Sequence, residues 1–308
     1  MKWFVACSLS LIGLILVQPA VAAEANVQLQ KNDSTVQVNI GGKEFTVLHF
    51  GGEYMKPFFA PVHAPGGEII TRTLENPEDH PHHKGIWFSL DEVNGLNFWG
   101  EKAKIQNAGV EVVVADGNPA ELRMTNNWLG NDAQGNPGAP ILVEQTTVKI
   151  YNNRMLTYDT TLTAAADKVE FADTKEGMFA IRLPNGMRER EEGNVISATG
   201  LKTAGNSWGK TADWVDYYGP VDGKVAGVAL FDHPSNFRPS RYHVRDYGLF
   251  AISPFGEGAY TNGENPPAPV TLTKGNSVRL RYGLYVHEGD TQAGNVSQVY
   301  RQYLGLAD

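Results

Sequence analysis

Hydrophobic and polar residues alternate with a period of two along much of this chain, and Gly, Pro, Asn and Asp separate the alternating segments. Such alternation predicts β-strands, because successive side chains of a strand point to opposite faces of a sheet. The clearest segments are residues 35–40, 144–151, 156–162, 177–183, 225–232 and 278–287. Many strands at short spacing predict an all-β protein with antiparallel sheets.

One segment near the C-terminus has the spacing of a helix instead. Between Asp290 and Leu304 the apolar residues recur every three or four positions, and Asp290 or Thr291 is the expected N-cap. We expect this short helix to pack on a sheet. Large two-sheet sandwiches often run to this length as one unit, so residues 23–308 are predicted to form a single β-sandwich domain.

The N-terminus has the pattern of a secretory signal peptide. Lys2 is followed by the apolar residues 3–17 and then by small residues up to Ala22. We expect residues 1–22 to be removed, and the protein to be periplasmic or secreted. The single cysteine, Cys7, lies in this segment, so the processed chain is expected to contain no disulfide. No other apolar run approaches the roughly 20 residues of a membrane span.

The charge balance narrows the class of partner. Twenty-six basic and 34 acidic residues give a formal net charge of −8. An acidic protein repels phosphate backbones, which argues against a nucleic-acid partner and favours a small-molecule or oligosaccharide substrate. Flat aromatic rings commonly hold sugar rings. The aromatic candidates for substrate binding are Trp87, Trp214 and Tyr217.

Histidines are concentrated in one short segment. Asp79-His80-Pro81-His82-His83-Lys84-Gly85 holds three of the chain's eight histidines, and the Asp-His-Pro tripeptide recurs at residues 232–234. Proline biases the preceding residue toward an extended backbone, so His80 and His82 are expected to face the same way while His83 points elsewhere. Histidine titrates near neutral pH and binds transition metals, so the segment predicts an acid–base site or a metal half-site. The alternative is that these rings only cap turns.

Two further segments combine titratable side chains. His243 has Arg241 and Arg245 beside it, and guanidinium groups bind carboxylates or developing oxyanions through two hydrogen bonds. Glu176 precedes an apolar strand that contains Arg182, which makes this glutamate a candidate base. The alternative is a set of ion pairs without a role in binding.

These motifs together carry a family resemblance. They are residues 79–85, 174–179, 214–217, 231–234 and 243–250. The combination resembles the bacterial family labelled PmoA, or methane oxygenase PmoA, over nearly the whole processed chain. The resemblance implies an exported β-rich protein found alongside sugar-processing enzymes. It also implies a two-sheet sandwich of the galactose-mutarotase, or supersandwich, type.

Three functions remain open from the sequence. The first is an exported carbohydrate-active enzyme of the lyase or dehydratase, hydrolase or epimerase type. Its acids and bases would be His80, His82, His233, His243 and Glu176, and its substrate-binding residues Arg182, Arg241, Arg245, Trp87, Trp214 and Tyr217. The second is an oxygenase or hydrolase whose copper, iron or zinc is bound by His80, His82 and His233 or His243. The third is a glycan-binding protein without catalysis.

Overall fold

The computed structural model describes residues 1–3 and 25–306. Cys7, the apolar part of the predicted signal peptide and its expected cleavage point lie outside these ranges. Among the described residues, no helix has the length and apolar character needed to cross a membrane.

Strands are the main regular structure of the described chain, and short helices interrupt them. The strands are β1 Val27–Lys31, β2 Thr35–Ile40, β3 Lys43–His49, β4 Phe58–Val62, β5 Ile86–Leu90, β6 Ile105–Val114, β7 Asp116–Gly117, β8 Ala120–Asn131, β9 Pro137–Ile150, β10 Met155–Ala164, β11 Lys168–Phe171, β12 Gly177–Arg182, β13 Asn194–Ser197, β14 Trp214–Val221, β15 Lys224–Asp232, β16 Arg241–Val244, β17 Leu249–Ser253, β18 Val270–Thr273 and β19 Ser277–Glu288. The helices are α1 Ala204–Ser207, α2 Glu257–Tyr260 and α3 Val296–Leu304, with a 3-10 turn at Asn185–Met187.

Two large antiparallel sheets face each other. The nine-stranded sheet has the order β16-β17-β12-β5-β4-β3-β2-β1-β7, and the eight-stranded sheet has the order β13-β14-β15-β19-β10-β9-β8-β6. Strands β11 and β18 form a small separate pair. The predicted fold class, an all-β antiparallel two-sheet sandwich with a short C-terminal helix, is confirmed.

The core between the sheets is formed by buried residues that alternate with more exposed ones along the strands. In β2 the residues Val36, Val38 and Ile40 are buried, and the residues between them are partly exposed. This strand has the bounds that the alternation predicted. Strand β9 begins at Pro137 instead of residue 144, because its first part is more polar and is exposed on one side.

The C-terminal helix is shorter than predicted. It begins at Val296, and Asn295, with a φ of 49°, stands at the N-cap position in place of Asp290 or Thr291. The Asp290 side chain accepts hydrogen bonds from the backbone N–H groups of Gln292 and Ala293, which closes a separate turn before the helix. The helix packs on the outer face of the eight-stranded sheet, as expected, through Val296, Val299, Tyr300 and Tyr303.

The outer face of the nine-stranded sheet has a different character. Paired positions form a row across five neighbouring strands: His243, Ala251, Ala180, Trp87 and Phe58. Neighbouring strands lie about 4.8 Å apart, so the row extends roughly 19 Å across the sheet. Small side chains at its centre stand between larger ones on either side, and loop residues pack over this face.

Candidate functional site

The histidine segment lies over the outer face of the nine-stranded sheet as a tight turn. The backbone N–H of His83 donates to the carbonyl of His80 at 2.9 Å, and His80 has a φ of 40°. The expected extended backbone is therefore wrong. Gly85 ends the turn with a φ of 52°, and a Cβ there would lie 1.9 Å from the Phe59 carbonyl oxygen of β4. Only glycine permits this close approach.

The turn brings four aromatic rings into one column. His83 stacks on Trp87 at 5.2 Å between ring centres, His80 stacks on His83 at 4.7 Å, and Tyr247 stacks on His80 at 5.4 Å. The His82 ring meets His83 edge-on at 4.5 Å. All three histidines are thus together, whereas the sequence predicted that His83 would point away from the other two.

A buried lysine side chain holds the histidine turn in place. The Nζ atom of Lys56 donates to the carbonyl of His82 at 2.9 Å and to Oε1 of Glu101 at 2.8 Å. Its side chain has no exposed surface, and burial lowers the pKa of Lys56 to about 8 although Glu101 opposes this. We infer that Lys56 is a positioning residue for the histidine turn.

Asp79 connects the turn to two arginines. Its carboxylate accepts hydrogen bonds from Nη2 of Arg182 at 2.8 and 3.1 Å and also from Arg72, and it lies 3.3 Å from Nδ1 of His80. Burial alone would raise the pKa of Asp79, but Arg182 outweighs it and the pKa falls to about 2. An ionised carboxylate beside Nδ1 favours a proton on that nitrogen. The Nε2 atom of His80 is then available as a base.

Exposure distinguishes the three histidines. The His80 side chain is 41% exposed, whereas His83 as a residue is 3% exposed. Burial lowers the pKa of His82 to about 4 and that of His83 further. Nδ1 of His83 lies 3.3 Å from Nη1 of Arg182, while its buried Nε2 has no partner among the described residues. Of the three, His80 is the one placed for proton exchange with a ligand.

Tyr247 lies at the centre of the site. It comes from the turn between β16 and β17, and its ring covers the Arg182 guanidinium at 4.8 Å. Burial raises the pKa of Tyr247, and the charges that act on its phenol are Arg245, Arg182, Glu176 and Asp79. The phenol is therefore protonated at neutral pH and can donate a proton.

His243 holds an arginine in place. Nδ1 of His243 lies 2.7 Å from the Lys175 carbonyl oxygen, and Nε of Arg245 donates to Nε2 of His243 at 3.0 Å. Both ring nitrogens are thus in use, and His243 is 1% exposed. Burial lowers the pKa of His243 to about 4. We infer a positioning role for this histidine, in contrast to the predicted acid or base.

Glu176 lies on the same side of the site. It pairs with Lys175, and its Oε2 is 3.9 Å from Nδ1 of His243. Burial would raise the pKa of Glu176, but His243 and Lys175 lower it below its ordinary value. The side chain is 28% exposed, so this carboxylate reaches solvent in its ionised form.

An open cleft adjoins the Asp79 and Arg182 pair. Its volume is about 330 Å³, and Arg72, Asp79, Arg182 and Asn185 are among the residues that line it. Small-molecule pockets commonly measure about 300–1,000 Å³. The cleft has the size for a ligand such as a single sugar ring.

Several predicted site residues lie elsewhere. His233 ends β15 beside the C-terminal helix, where its ring meets Tyr303 edge-on at 5.5 Å. Trp214 is buried under the same helix. Tyr217 is a core residue whose hydroxyl donates to the carbonyl of Arg245 at 3.2 Å. All three residues belong to, or end, strands of the eight-stranded sheet.

Arg241 and Trp87 contribute to structure at the site. Two nitrogens of Arg241 donate to the Glu257 carboxylate at 2.9 and 2.6 Å, and a third donates to the Gly209 carbonyl. Each of the three nitrogens of its guanidinium therefore donates a hydrogen bond within the protein. Trp87 is 2% exposed and supports the ring column from below.

The predicted metal set of His80, His82 and His233 is not brought together, because His233 lies on the other sheet. Within residues 1–3 and 25–306, no three His, Cys, Asp or Glu side chains are arranged to bind a metal ion. The parallel His80 and His83 rings also direct their nitrogen lone pairs along separate planes, 7° from parallel, instead of toward a common point.

Sequence reasoning did not assign the roles of three residues of the site. Asp79 was part of the recognised motif, but nothing in the sequence showed its two arginine partners. Tyr247 follows Arg245 by two positions, a spacing that was visible in the chain. Trp208 was visible as an aromatic residue near the polar motifs, but the sequence did not show that the Arg245 guanidinium lies over its ring at 5.2 Å.

The sequence matches, over residues 35–301, a protein family described as a family of unknown function (DUF6807). The chain belongs to this family. The resemblance to the family labelled PmoA stays a prediction. A search of curated proteins found no match for this DUF6807 member.

Solved structures similar to this DUF6807 member include sugar enzymes. A galactose 1-epimerase from Lactobacillus acidophilus NCFM is 11% identical, with a TM-score of 0.41, over 86% of this chain and 98% of its own. A GalM/aldose epimerase homologue from C. elegans is 8% identical, with a TM-score of 0.39, over 86% and 100%. A β-arabinopyranosidase is 12% identical, with a TM-score of 0.36, over 85% of this chain and 38% of its own.

This DUF6807 chain therefore spans less than half the length of the β-arabinopyranosidase. The galactose-mutarotase type of sandwich, which the sequence resemblance implies, stays a prediction, because each of these TM-scores is below 0.5.

Proposed function

We propose that this protein is a carbohydrate-active enzyme that moves protons at a sugar ring, with His80 as base and Tyr247 as acid. The observation that carries the proposal is the Asp79–His80 pair: an ionised carboxylate 3.3 Å from Nδ1 of a solvent-exposed histidine. A base that is oriented through one nitrogen and free at the other is the arrangement general base catalysis requires.

The acid lies against the base. Tyr247 stacks on His80 with 4° between the ring planes. Its raised pKa keeps the proton on the phenol until a developing negative charge accepts it. A base and an acid in contact suit a reaction in which one proton leaves a ring carbon and another reaches an oxygen.

The carboxylates argue against glycoside hydrolysis. Most glycosidases use two carboxyl groups, one of which is kept protonated by a raised pKa. The pKa values of Asp79 and Glu176 are both lowered, by Arg182 and by His243 respectively despite burial. Neither group holds a proton at neutral pH. Of the three reaction types left open by the sequence, elimination and epimerisation therefore fit better than hydrolysis.

The test is turnover of a panel of neutral and acidic oligosaccharides by wild-type protein and by the variants His80→Asn and Tyr247→Phe. General acid–base catalysis contributes about 10²–10⁴-fold, so each variant is expected to lose at least about a hundredfold in rate. His233→Asn is the matched control, because this half-buried histidine lies beside the other sheet, and it should retain wild-type turnover.

Two results would contradict the proposal. One is full activity in His80→Asn. The other is sugar binding without conversion of any panel member, which would favour the glycan-binding function instead.

A further inference from the structure

One guanidinium at the site has unused hydrogen-bonding capacity. Arg245 donates through Nε to His243, and no described residue accepts a hydrogen bond from its two terminal nitrogens. The terminal nitrogens of the neighbouring arginines differ: Nη2 of Arg182 donates to Asp79, and Nη2 of Arg241 donates to Glu257. Arg245 is half-buried, and its charge acts on the Tyr247 phenol and on the Glu176 carboxylate.

The orientation of Arg245 is fixed before any ligand binds. His243 holds its Nε, and the Trp208 ring lies under its guanidinium at 5.2 Å. His243 is itself held by the Lys175 carbonyl oxygen at 2.7 Å. A guanidinium with its edge free and its face supported presents two parallel N–H groups, which match the two oxygens of a carboxylate.

Arg245 is the cation at this site that an anionic ligand can pair with. The charges that act on the Tyr247 phenol are Arg245 and Arg182 against Glu176 and Asp79. Within this set Arg182 pairs with Asp79, and Glu176 pairs with Lys175. Arg245 forms no ion pair with a described residue, so its charge remains available to a ligand.

The position of Arg245 suits the carboxylate of a sugar acid. The backbone N–H of Arg245 donates to the Leu249 carbonyl of β17, and Leu249 pairs with Arg182 on the adjacent strand β12. Arg245 and Arg182 are thus separated by two strand spacings, about 10 Å. Tyr247 lies between them, and the charges of both arginines act to lower the pKa of its phenol.

We propose that the substrate is a uronic-acid-containing sugar whose carboxylate is bound by the terminal nitrogens of Arg245. This inference rests on the proposed function, because it places the sugar ring beside His80 and Tyr247. A bound carboxylate also increases the acidity of the C–H bond next to it, which is the bond that a base must break in an elimination or an epimerisation.

The experiment measures binding by calorimetry with methyl glycosides of glucuronate and galacturonate, the matching neutral glycosides and their sulfate esters. Wild-type protein should bind a uronate at least about tenfold more tightly than its neutral counterpart. Arg245→Gln should abolish this preference. Arg245→Lys should recover only part of it, because lysine keeps the charge but lacks the planar pair of donors. Arg123→Gln, which removes an exposed arginine on the other sheet, should leave it unchanged.

Equal affinity for uronate and neutral sugar would overturn the inference, as would a uronate preference that persists in Arg245→Gln. A preference for the sulfate ester over the uronate would replace the carboxylate with another anion and also overturn it. A different result would reject the proposed function alone. Uronate binding that depends on Arg245, without turnover that depends on His80, would leave the inference intact and reject the enzymatic role.

Discussion

Burial shifts the pKa values of single residues at the site away from the ordinary values of their side chains. His243 ordinarily would titrate at 6.5, but burial lowers its pKa to about 4, against the attraction of Glu176. A neutral imidazole with a proton on Nδ1 is what Arg245 needs as its acceptor. Protonation of His243 would place a cation against the Arg245 guanidinium, and the two would separate.

This predicts acid sensitivity of the fold. Below pH 6.5 His243 binds a proton in the unfolded chain but stays neutral in the folded protein. The contribution of His243 to the free energy of unfolding is therefore fully present above pH 6.5 and is lost as the pH falls to about 4. The loss from His243 alone is roughly 2–3 kcal/mol. Urea unfolding across this range should give a flatter pH dependence for His243→Gln than for wild-type protein. Parallel curves for the two proteins would contradict the assigned burial.

The residue scale also shows what a sequence can reveal about a site. His80, Glu176, Arg182 and Arg245 were all predicted, because clustered titratable residues near strand ends are visible in the chain. His233 was predicted on the same ground and lies on the other sheet. The two Asp-His-Pro tripeptides are identical in sequence, and only the strand order separates them in space.

At the scale of elements, one buried carboxyl group connects three strands of the eight-stranded sheet. Glu144 of β9 accepts hydrogen bonds from Trp128 and Asn126 of β8 at 2.9 and 3.1 Å, and from Tyr158 of β10 at 2.8 Å. Burial raises its pKa although these donors oppose the change. Tyr158 in turn lies 5.1 Å from Phe179 of β12, on the inner side of the strand that carries Arg182.

Glu144→Gln should therefore destabilise the protein. The amide offers one acceptor oxygen where the carboxylate offers two, and an unsatisfied buried donor costs about 1–3 kcal/mol. Urea unfolding should show a lower midpoint with an unchanged slope. Glu111→Gln, at an exposed position of the edge strand β6, is the control and should unfold as wild type does. An unchanged midpoint in Glu144→Gln would show that the network has no net stabilising effect.

The elements themselves were largely predictable, whereas their ends were not. The period of two in residues 35–40 gave β2 with its observed bounds, because its inner residues are apolar throughout. The start of the C-terminal helix was predicted four or five residues too early, since Asp290 is a strong capping residue by type but closes a turn of its own. Glu144 lay within a predicted strand, yet a glutamate there gave no sign of being buried.

At the scale of the whole molecule, the two outer faces of the sandwich have different coverings. Helix α3 covers part of the eight-stranded sheet with apolar contacts, whereas loop residues that include Asp79, His80 and Tyr247 cover part of the nine-stranded sheet. A sugar-processing role for the second face fits the predicted export of the protein, because oligosaccharides are met outside the cytoplasm. We propose that the mature protein acts in the periplasm or outside the cell.

The predicted export of the protein can be tested without an activity assay. Full-length protein expressed in a bacterium should be recovered from the periplasm or medium with an N-terminus near Ala23, as measured by intact mass. A variant with the apolar segment interrupted by Leu14→Arg should remain in the cytoplasm at full length. Recovery of the unprocessed wild-type chain from the cytoplasm alone would contradict the predicted signal peptide.

The column of Trp87, His83, His80 and Tyr247 has an optical consequence. An indole in contact with an imidazole changes its emission when the electronic state of that imidazole changes. A ligand that protonates or displaces His80 would act on His83 and, through it, on Trp87, which is 2% exposed and therefore shielded from direct quenching by solvent. The intrinsic fluorescence of the protein thus offers a label-free signal for ligands at this face.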